Sequence, residues 1–418
     1  MPTRTTHYRT RMGGRDPHEV FRGATPLELL FDLTFVIAFG VAADELAHAL
    51  TEDHIGDGIL GFAFATFAIS WAWINFSWFA SAYDTDDWVY RLTTMVQMVG
   101  VLVLALGLPD MFDSLTHGDH VDNQVMVLGY VVMRVPMIAQ WLRAARQDPA
   151  RREICHSMAV TLVVAQVGWI ALLLADLSVV PMFSLALVLV AVELAGPLRA
   201  ERISGGTPWH PHHIAERYGL LVIITLGEGM IGTMATLTAL VGPDGPGWST
   251  DVVLLGLAGT ALTFGLWWTY FVIPWGEVLH ARRQRSFGWG YGHIPLFGAL
   301  VAVGAGLHVG AYYLEDHSTL GVVGSVVTVA LPVAVYAALL YALYAQVTRS
   351  WDPFHVLLVV LTAAVIATSL VLAVAGASLV WCLVVLSAAP WVTVVGYELV
   401  GHRHNEAVLA SFDDAFPA

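Results

Sequence analysis

The sequence predicts an all-α integral membrane protein with about twelve transmembrane helices, arranged as two parallel six-helix repeats. Of the 418 residues, 57% are hydrophobic and only 12% are charged, which is about half the charged fraction of soluble domains. Apolar stretches long enough to cross a bilayer recur along the whole chain. The arginines of the connecting loops all fall on one side of these stretches.

Twelve apolar stretches alternate with short polar loops and are the predicted transmembrane helices. They cover residues 26–49, 57–81, 89–109, 122–143, 156–175, 179–198, 213–240, 250–275, 291–313, 320–347, 354–374 and 378–400. The lipid bilayer is therefore the first predicted partner.

Orientation follows from arginine, because all 19 basic residues are arginine and none is lysine. Arginines in the loops or at the adjoining ends of the stretches precede residue 26 and recur at 91, 143–152, 199–217, 282–285, 349 and 403, always on the same side as the N-terminus. The opposite loops carry acids instead. By the positive-inside rule both termini are cytoplasmic. The net charge of -14 then lies mainly on the outer face and does not indicate nucleic acid.

Similar short motifs recur in the two halves of the chain. Glu28 matches Glu216, WINF at 73–76 matches WTYF at 268–271, and Glu193 matches Glu398. The spacing between matched positions rises steadily, as small loop insertions would produce. The sequence therefore predicts two parallel repeats around an axis along the membrane normal. The predicted division is a cytoplasmic arm (1–24), a first six-helix half (25–200), a linker (201–212), a second half (213–402) and a tail (403–418).

No enzyme motif is visible. The chain lacks a P-loop, a dinucleotide fingerprint, HExxH and a nucleophile elbow. Without lysine, neither a retinal nor a pyridoxal Schiff base can form. We therefore predict no enzymatic activity and no cofactor, with any activity inside the helix bundle.

Two carboxylates open the first apolar stretch, in TPLELLFDLTFVIAFG at 25–40. Glu28 and Asp32 are one helical turn apart and share a helix face. Ionisable groups inside transmembrane segments are costly and indicate function by default. For Glu28 a structural alternative is that it lies near the cytoplasmic interface and accepts helix N-terminal amides or pairs with an arginine such as Arg22 or Arg217. Asp32 lies deeper and is the stronger functional candidate.

Two further charges lie near the predicted middle of the membrane. Arg134, in YVVMRVPM, requires an acidic partner there, and Asp32 and Glu228 are the candidates. A purely structural ion pair is the alternative. Glu228 lies in ITLGEGMIG, where glycines permit close helix approach, and its neutral form is a candidate proton carrier. A hydrogen-bonded packing role is the alternative.

The 17 histidines raise the question of a metal site. His210, His212 and His213 form the densest cluster, but the absence of nearby cysteine favours a polar interfacial loop, and we assign no metal. His308 is a candidate proton relay or a packing residue. The tryptophan-rich WAWINFSWF at 71–79 is typical of packing or of an interface belt.

Several motifs resemble those of the bacterial low temperature requirement protein A family. They are TPLELLFDLTFVIA, HIAERYGLLVIITLGEGMIG at 213–232, WWTYF at 267–271 and GYGHIPL at 290–296. The resemblance spans nearly the whole chain and implies a polytopic protein of the bacterial cytoplasmic (inner) membrane. It carries over Glu28, Asp32, His213, Glu216, Arg217 and Glu228 position by position. It implies no substrate, and it does not extend to Arg134 or His308.

Three functional hypotheses remain. The first is a proton-coupled secondary transporter of a small solute, with Asp32, Arg134 and Glu228 at a central cavity. The second is an ion or proton channel; FDLTFVIA is similar to the first-helix signature of endolysosomal potassium channels. The third is a membrane stress-response protein without transport. The sequence does not decide whether the protein forms a homodimer, because no sequence feature selects an oligomeric state.

Overall fold

The computed structural model describes residues 9–19, 22–203, 205–242, 247–350 and 352–413. These residues form helices joined by short loops, and no strand occurs among them. Twelve helical spans in the described ranges are long and apolar enough to cross a membrane. The predicted all-α fold class and all twelve predicted stretches are confirmed.

Sixteen α-helices make up the twelve spans. In the first part of the chain they are α1 (Pro26–Thr51), α2 (Ile55–Tyr83), α3 (Trp88–Leu106), α4 (Leu108–His117), α5 (Gln124–Gln147), α6 (Arg152–Leu174) and α7 (Val179–Ala200). The rest are α8 (Pro211–Val241), α9 (Thr250–Phe271), α10 (Trp275–Ala281), α11 (Ser286–Leu314), α12 (Val322–Thr348), α13 (Pro353–Val374), α14 (Leu379–Ser387), α15 (Ala389–Gly396) and α16 (His402–Asp413). The pairs α3–α4 and α9–α10 each form one span, as do α14 to α16 together.

Several helices begin at a side-chain cap. Asp87 accepts from the backbone N–H of Tyr90 at the start of α3, Ser249 caps α9 in the same way, and Asp352 caps α13. A cap satisfies N–H groups that have no partner inside the helix. Helix α5 continues through Pro136, so this proline does not interrupt the span that carries Arg134.

The chain forms two compact units. The first combines the described residues up to Val41 with Ala68–Arg217, and the second combines Ala42–Phe67 with the described residues from Tyr218 onward. The boundary therefore falls inside α1, α2 and α8. Whether the chain is also an internal repeat, with the predicted halves 25–200 and 213–402, stays a prediction.

Small residues set the helix packing within each unit. In the first unit α3 lies along α5, and a Cβ at Gly129 would lie 2.7 Å from the carbonyl oxygen of Gly100. In the second unit α11 lies along α12 and also meets α8, where a Cβ at Gly304 would lie 2.6 Å from the Cβ of Glu228. Glycine therefore permits these backbones to approach closely, as is typical of membrane helices.

The N-terminal arm docks on the first unit before α1 begins. The backbone N–H of Met12 donates to the Gln147 side chain at 2.6 Å, and that of Gly14 donates to Asp148 at 3.2 Å. Arg143 donates to the carbonyl of Thr10 at 2.8 Å. The described part of the arm is thus held by side chains at the end of α5.

Candidate functional site

The candidate site is a cluster of four ionisable side chains in the first unit. Glu28 and Asp32 are one turn apart on α1, and His213 and Arg217 are one turn apart on α8, so each pair shares a helix face. The Nη1 atom of Arg217 lies 3.1 Å from Oε1 of Glu28, and Nη2 donates to Oδ1 of Asp32. The Nε2 atom of His213 lies 3.1 Å from the same Glu28 oxygen. We call these four residues the acid–arginine cluster.

The acid–arginine cluster is closed to the protein surface. Glu28, His213 and Arg217 are 0% exposed and Asp32 is 2% exposed. Several of its atoms nevertheless have no hydrogen-bond partner: Glu28 Oε1, Asp32 Oδ2, both ring nitrogens of His213, and Arg217 Nε and Nη1. The contacts to Glu28 are therefore close in distance but poorly directed. Since buried polar groups are almost always paired, so many unpartnered polar atoms in one buried cluster are unusual.

Aromatic side chains surround the charges. The indole N–H of Trp73 donates to Oδ1 of Asp32 at 2.6 Å, and the Arg217 guanidinium lies 5.6 Å from the Trp73 ring centroid. The Phe31 and Phe76 rings lie 3.8 Å apart beside them. Such a low-dielectric wall strengthens each electrostatic interaction inside it. Of the tryptophan-rich stretch 71–79, Trp71 and Trp73 are buried and serve packing and hydrogen bonding.

A second arginine extends the cluster toward the arm. The Nη2 atom of Arg22 lies 3.7 Å from Glu28 and 3.4 Å from Asp84 in the loop after α2. Burial, reinforced by the negative charge of Glu28, raises the pKa of Asp84 to about 6, although Arg22 and Arg15 oppose the rise. The predicted pairing of Glu28 with Arg22 or Arg217 is confirmed for both arginines.

Arg134 has a different partner from the one predicted. Its Nη2 atom donates to Glu193 of α7 at 2.7 Å and to the Tyr130 hydroxyl at 2.7 Å. The indoles of Trp71 and Trp169 also donate to Glu193. The prediction that Asp32 or Glu228 pairs with Arg134 was wrong. The acidic partner of Arg134 is Glu193 of α7. Glu193 thus receives three donors and closes a network typical of structural ion pairs.

Sequence reasoning overlooked three residues of these networks. Glu193 was recognised only as a repeat match, although a glutamate within the apolar stretch 179–198 was itself a signal. Trp73 was assigned to packing, and no local pattern marks its indole as a donor to Asp32. Asp84 was not singled out from the sequence, and it is the arm that brings Arg22 beside it.

The side chains of the histidine-rich loop, His210, His212 and His213, have different surroundings. The Nε2 atom of His210 contacts the carbonyl of Glu19 at 2.9 Å, His213 faces Glu28, and His212 is exposed. Across the described ranges, no group of three or more His, Cys, Asp or Glu side chains is arranged to hold a metal ion. The structure therefore adds no support to a metal site at this loop.

Comparison with known proteins identifies the family. The sequence pattern of the bacterial low temperature requirement A protein (LtrA) matches residues 23–389. The chain belongs to the LtrA family. It is similar to an uncharacterized protein, RA0937, of Rhizobium meliloti strain 1021, with 27% identity over 304 residues that cover 67% of each chain. No solved structure matches the chain.

The six LtrA motif residues separate into three positions. Glu28, Asp32, His213 and Arg217 form the acid–arginine cluster. Glu216 is exposed and accepts from the backbone N–H of Ala24 at 3.3 Å, outside the buried charges. Glu228 belongs to the second unit, where it is 2% exposed and its Oε1 atom has no hydrogen-bond partner.

The second unit also holds an apolar cavity of about 500 Å³ between α1, α2, α11 and α12. Its lining is aliphatic and aromatic, with Thr66 and Thr328 among the few polar contributors. A wall of this composition offers no group that binds a proton or a charge. The ionisable residues therefore define the candidate site.

Proposed function

We propose that this LtrA protein is a proton-coupled secondary transporter of a small solute, in which the acid–arginine cluster binds the coupling proton. The supporting observation is the complete burial of two carboxylates, one guanidinium and one imidazole within two membrane-spanning helices. Charges at such positions are costly and are typical of proton relays and substrate paths.

Charge counting supports proton coupling. With His213 neutral, the two carboxylates and Arg217 leave a net charge of about -1, and one further proton on any of the acceptors neutralises it. Arg22 and Asp84 add opposite charges and do not change this balance. Because a buried net charge is far more costly than a neutral pair, proton binding changes which arrangement of α1 and α8 is favoured.

Arg217 replaces Arg134 as the arginine of this proposal. Both arginines have buried donor atoms without a hydrogen-bond partner, but Arg217 contacts the two carboxylates of the candidate site, whereas Arg134 contacts Glu193 and Tyr130. A transporter requires an element with two arrangements. Protonation of Glu28 or Asp32 weakens one of the two contacts of Arg217. It thereby shifts the equilibrium between the two arrangements.

Orientation and assembly complete the proposal. We place both termini in the cytoplasm of the bacterial inner membrane, because every loop arginine lies on the side of the termini. Reporter fusions at residues 118 and 349 test this orientation, since the two positions lie on opposite sides. The two parallel repeats and a homodimer belong to the same proposal, and mass measurement in nanodiscs tests the dimer.

The deciding experiment uses proteoliposomes that enclose a pH-sensitive dye. A coupled carrier moves protons only when a solute is added, with saturable rates, and a panel of amino acids, sugars, organic acids and inorganic cations supplies the solutes. An ion or proton channel instead conducts under an imposed potential without solute. Asp32→Asn abolishes the coupled flux, while Asp110→Asn, at an exposed acid of α4, retains it. If Asp32→Asn and Glu28→Gln alter neither flux nor growth in the cold, the proposal fails.

A further inference from the structure

The second unit contains a separate line of ionisable groups that ends at Glu228. Asp44 of α1 and His308 of α11 are the ionisable neighbours that act electrostatically on Glu228 of α8. The Nδ1 atom of His308 lies 3.0 Å from Oδ1 of Asp44. No charged group of α9 is among these neighbours; α9 contributes Thr263, beside Gly229.

Exposure increases in steps along this line. Glu228 is 2% exposed, whereas the side chains of His308 and Asp44 are 11% and 65% exposed. A carboxylate as exposed as Asp44 within a membrane-spanning helix faces water in preference to lipid. This line of ionisable groups therefore runs from the solvent-exposed Asp44 to the buried carboxyl group of Glu228.

Helix packing explains how Glu228 comes close to His308. The backbone of α11 meets α8 at Gly304, where a Cβ would lie 2.6 Å from the Cβ of Glu228. His308 follows Gly304 by four residues and so lies one turn further along the same face of α11. Further along the two helices, the Thr236 hydroxyl donates to the Leu307 carbonyl at 3.0 Å. Any side chain at position 304 would push this face of α11 away from Glu228.

We propose that Glu228 is a second proton-binding site, which exchanges protons with water through His308 and Asp44. The imidazole is suited to this step because it accepts a proton at one ring nitrogen and releases it from the other. The proton passes between the Asp44 carboxylate, the His308 ring and the Glu228 carboxylate, so no other reactant is needed. By the predicted orientation, this route opens at the outer face.

This inference deepens the proposed transport function, but its test does not depend on transport. Infrared spectroscopy of the purified protein in nanodiscs detects the C=O stretch of a protonated carboxyl group, without solute or gradient. We expect a band that disappears as the pH is raised and that is absent from Glu228→Gln. Glu228→Asp, which keeps the carboxyl group, retains a shifted band. If the band persists unchanged in folded Glu228→Gln, the proposed proton-binding site is wrong.

The route is tested by rates. After a pH jump, His308→Gln and Asp44→Asn should slow the appearance of the Glu228 band by roughly 100-fold, the order by which a positioned group speeds proton transfer. Asp57→Asn, at another acid near the same end of the helices, is the matched control and should leave the rate unchanged. Equal rates in wild type, His308→Gln and Asp44→Asn would overturn the relay. Absence of solute-coupled proton flux in the wild-type protein, together with an intact Glu228 band, would refute only the transport proposal.

Discussion

The guanidinium of Arg217 lies 3.1 Å from the carboxylate of Glu28, and both side chains are completely buried. The same guanidinium donates to Asp32, one turn further along α1. One cation thus compensates two carboxylates inside the membrane-spanning part of the chain. We expect the stability of the first unit and the proposed proton binding to depend on this arrangement.

Removal of Arg217 should strongly destabilise the protein. Arg217→Gln leaves the buried Asp32 without its cation and Glu28 with the more distant Arg22, so we expect the free energy of unfolding to fall by about 3–5 kcal/mol. Denaturant unfolding in detergent measures it. Adding Glu28→Gln should recover part of the loss. The control is Glu216→Gln at the preceding, exposed position, with an expected change within about 0.5 kcal/mol. An Arg217→Gln protein as stable as wild type would refute this account.

The Arg134–Glu193 pair should be structural. Glu193→Gln leaves the guanidinium without a charged partner, and we expect a loss of about 3–5 kcal/mol in the free energy of unfolding. Solute-dependent proton flux per folded molecule should remain at the wild-type level. The control is Glu398→Gln, at the position that the predicted repeat aligns with Glu193; this side chain is exposed, and its replacement should leave stability unchanged. A selective loss of flux in Glu193→Gln, without loss of stability, would restore Arg134 to the transport site.

Asp84 should make stability depend on pH. Its pKa is raised from 3.8 to about 6 in the folded protein, mainly by burial. The folded state therefore binds the proton more tightly than the unfolded state, so this contribution to stability is full below pH 3.8 and is lost as the pH rises through about 6. Asp84→Asn should remove the dependence. The measurement is the difference in Tm between Asp84→Asn and wild type across this range, and a difference independent of pH would contradict the prediction.

Asp87 should hold the N-terminal arm. It accepts from Arg143 and from the backbone N–H of Thr10. Although burial opposes ionisation, these bonds and the Tyr90 N–H keep the pKa of Asp87 below its ordinary value. Its stabilising contribution is therefore present above the ordinary value and lost as the pH falls through the lowered one.

The variant Asp87→Asn retains a residue that can cap α3 but removes the charge that binds Arg143. We expect the arm to detach, so that trypsin cleaves faster after Arg9, Arg11 and Arg15. Mass spectrometry of the fragments measures the rate. Asp86→Asn is the control, because Asp86 lies next to Asp87 but pairs with the exposed Arg91. Equal cleavage in Asp87→Asn and wild type would contradict the docking role of Asp87.

The sequence alone determined the twelve membrane-spanning helices and the residues of the buried cluster. Hydropathy is a local property, so a window of about 20 residues suffices to locate a span. Glu28 and Asp32 were recognisable because charge is rare in such windows, whereas His213 and Arg217 were included through the family resemblance. Family motifs added to this recognition but assigned no partner to any of the four residues.

Only the tertiary structure decided which charges pair. Arg217 reaches Asp32 across 185 positions, and Arg134 reaches Glu193 across 59. Ion pairing depends on separations of a few ångströms between side chains of different helices, and hydropathy contains no information about these separations. For the same reason the sequence marked Glu228 and His308 as separate candidates, while helix packing at Gly304 places them on one line with Asp44.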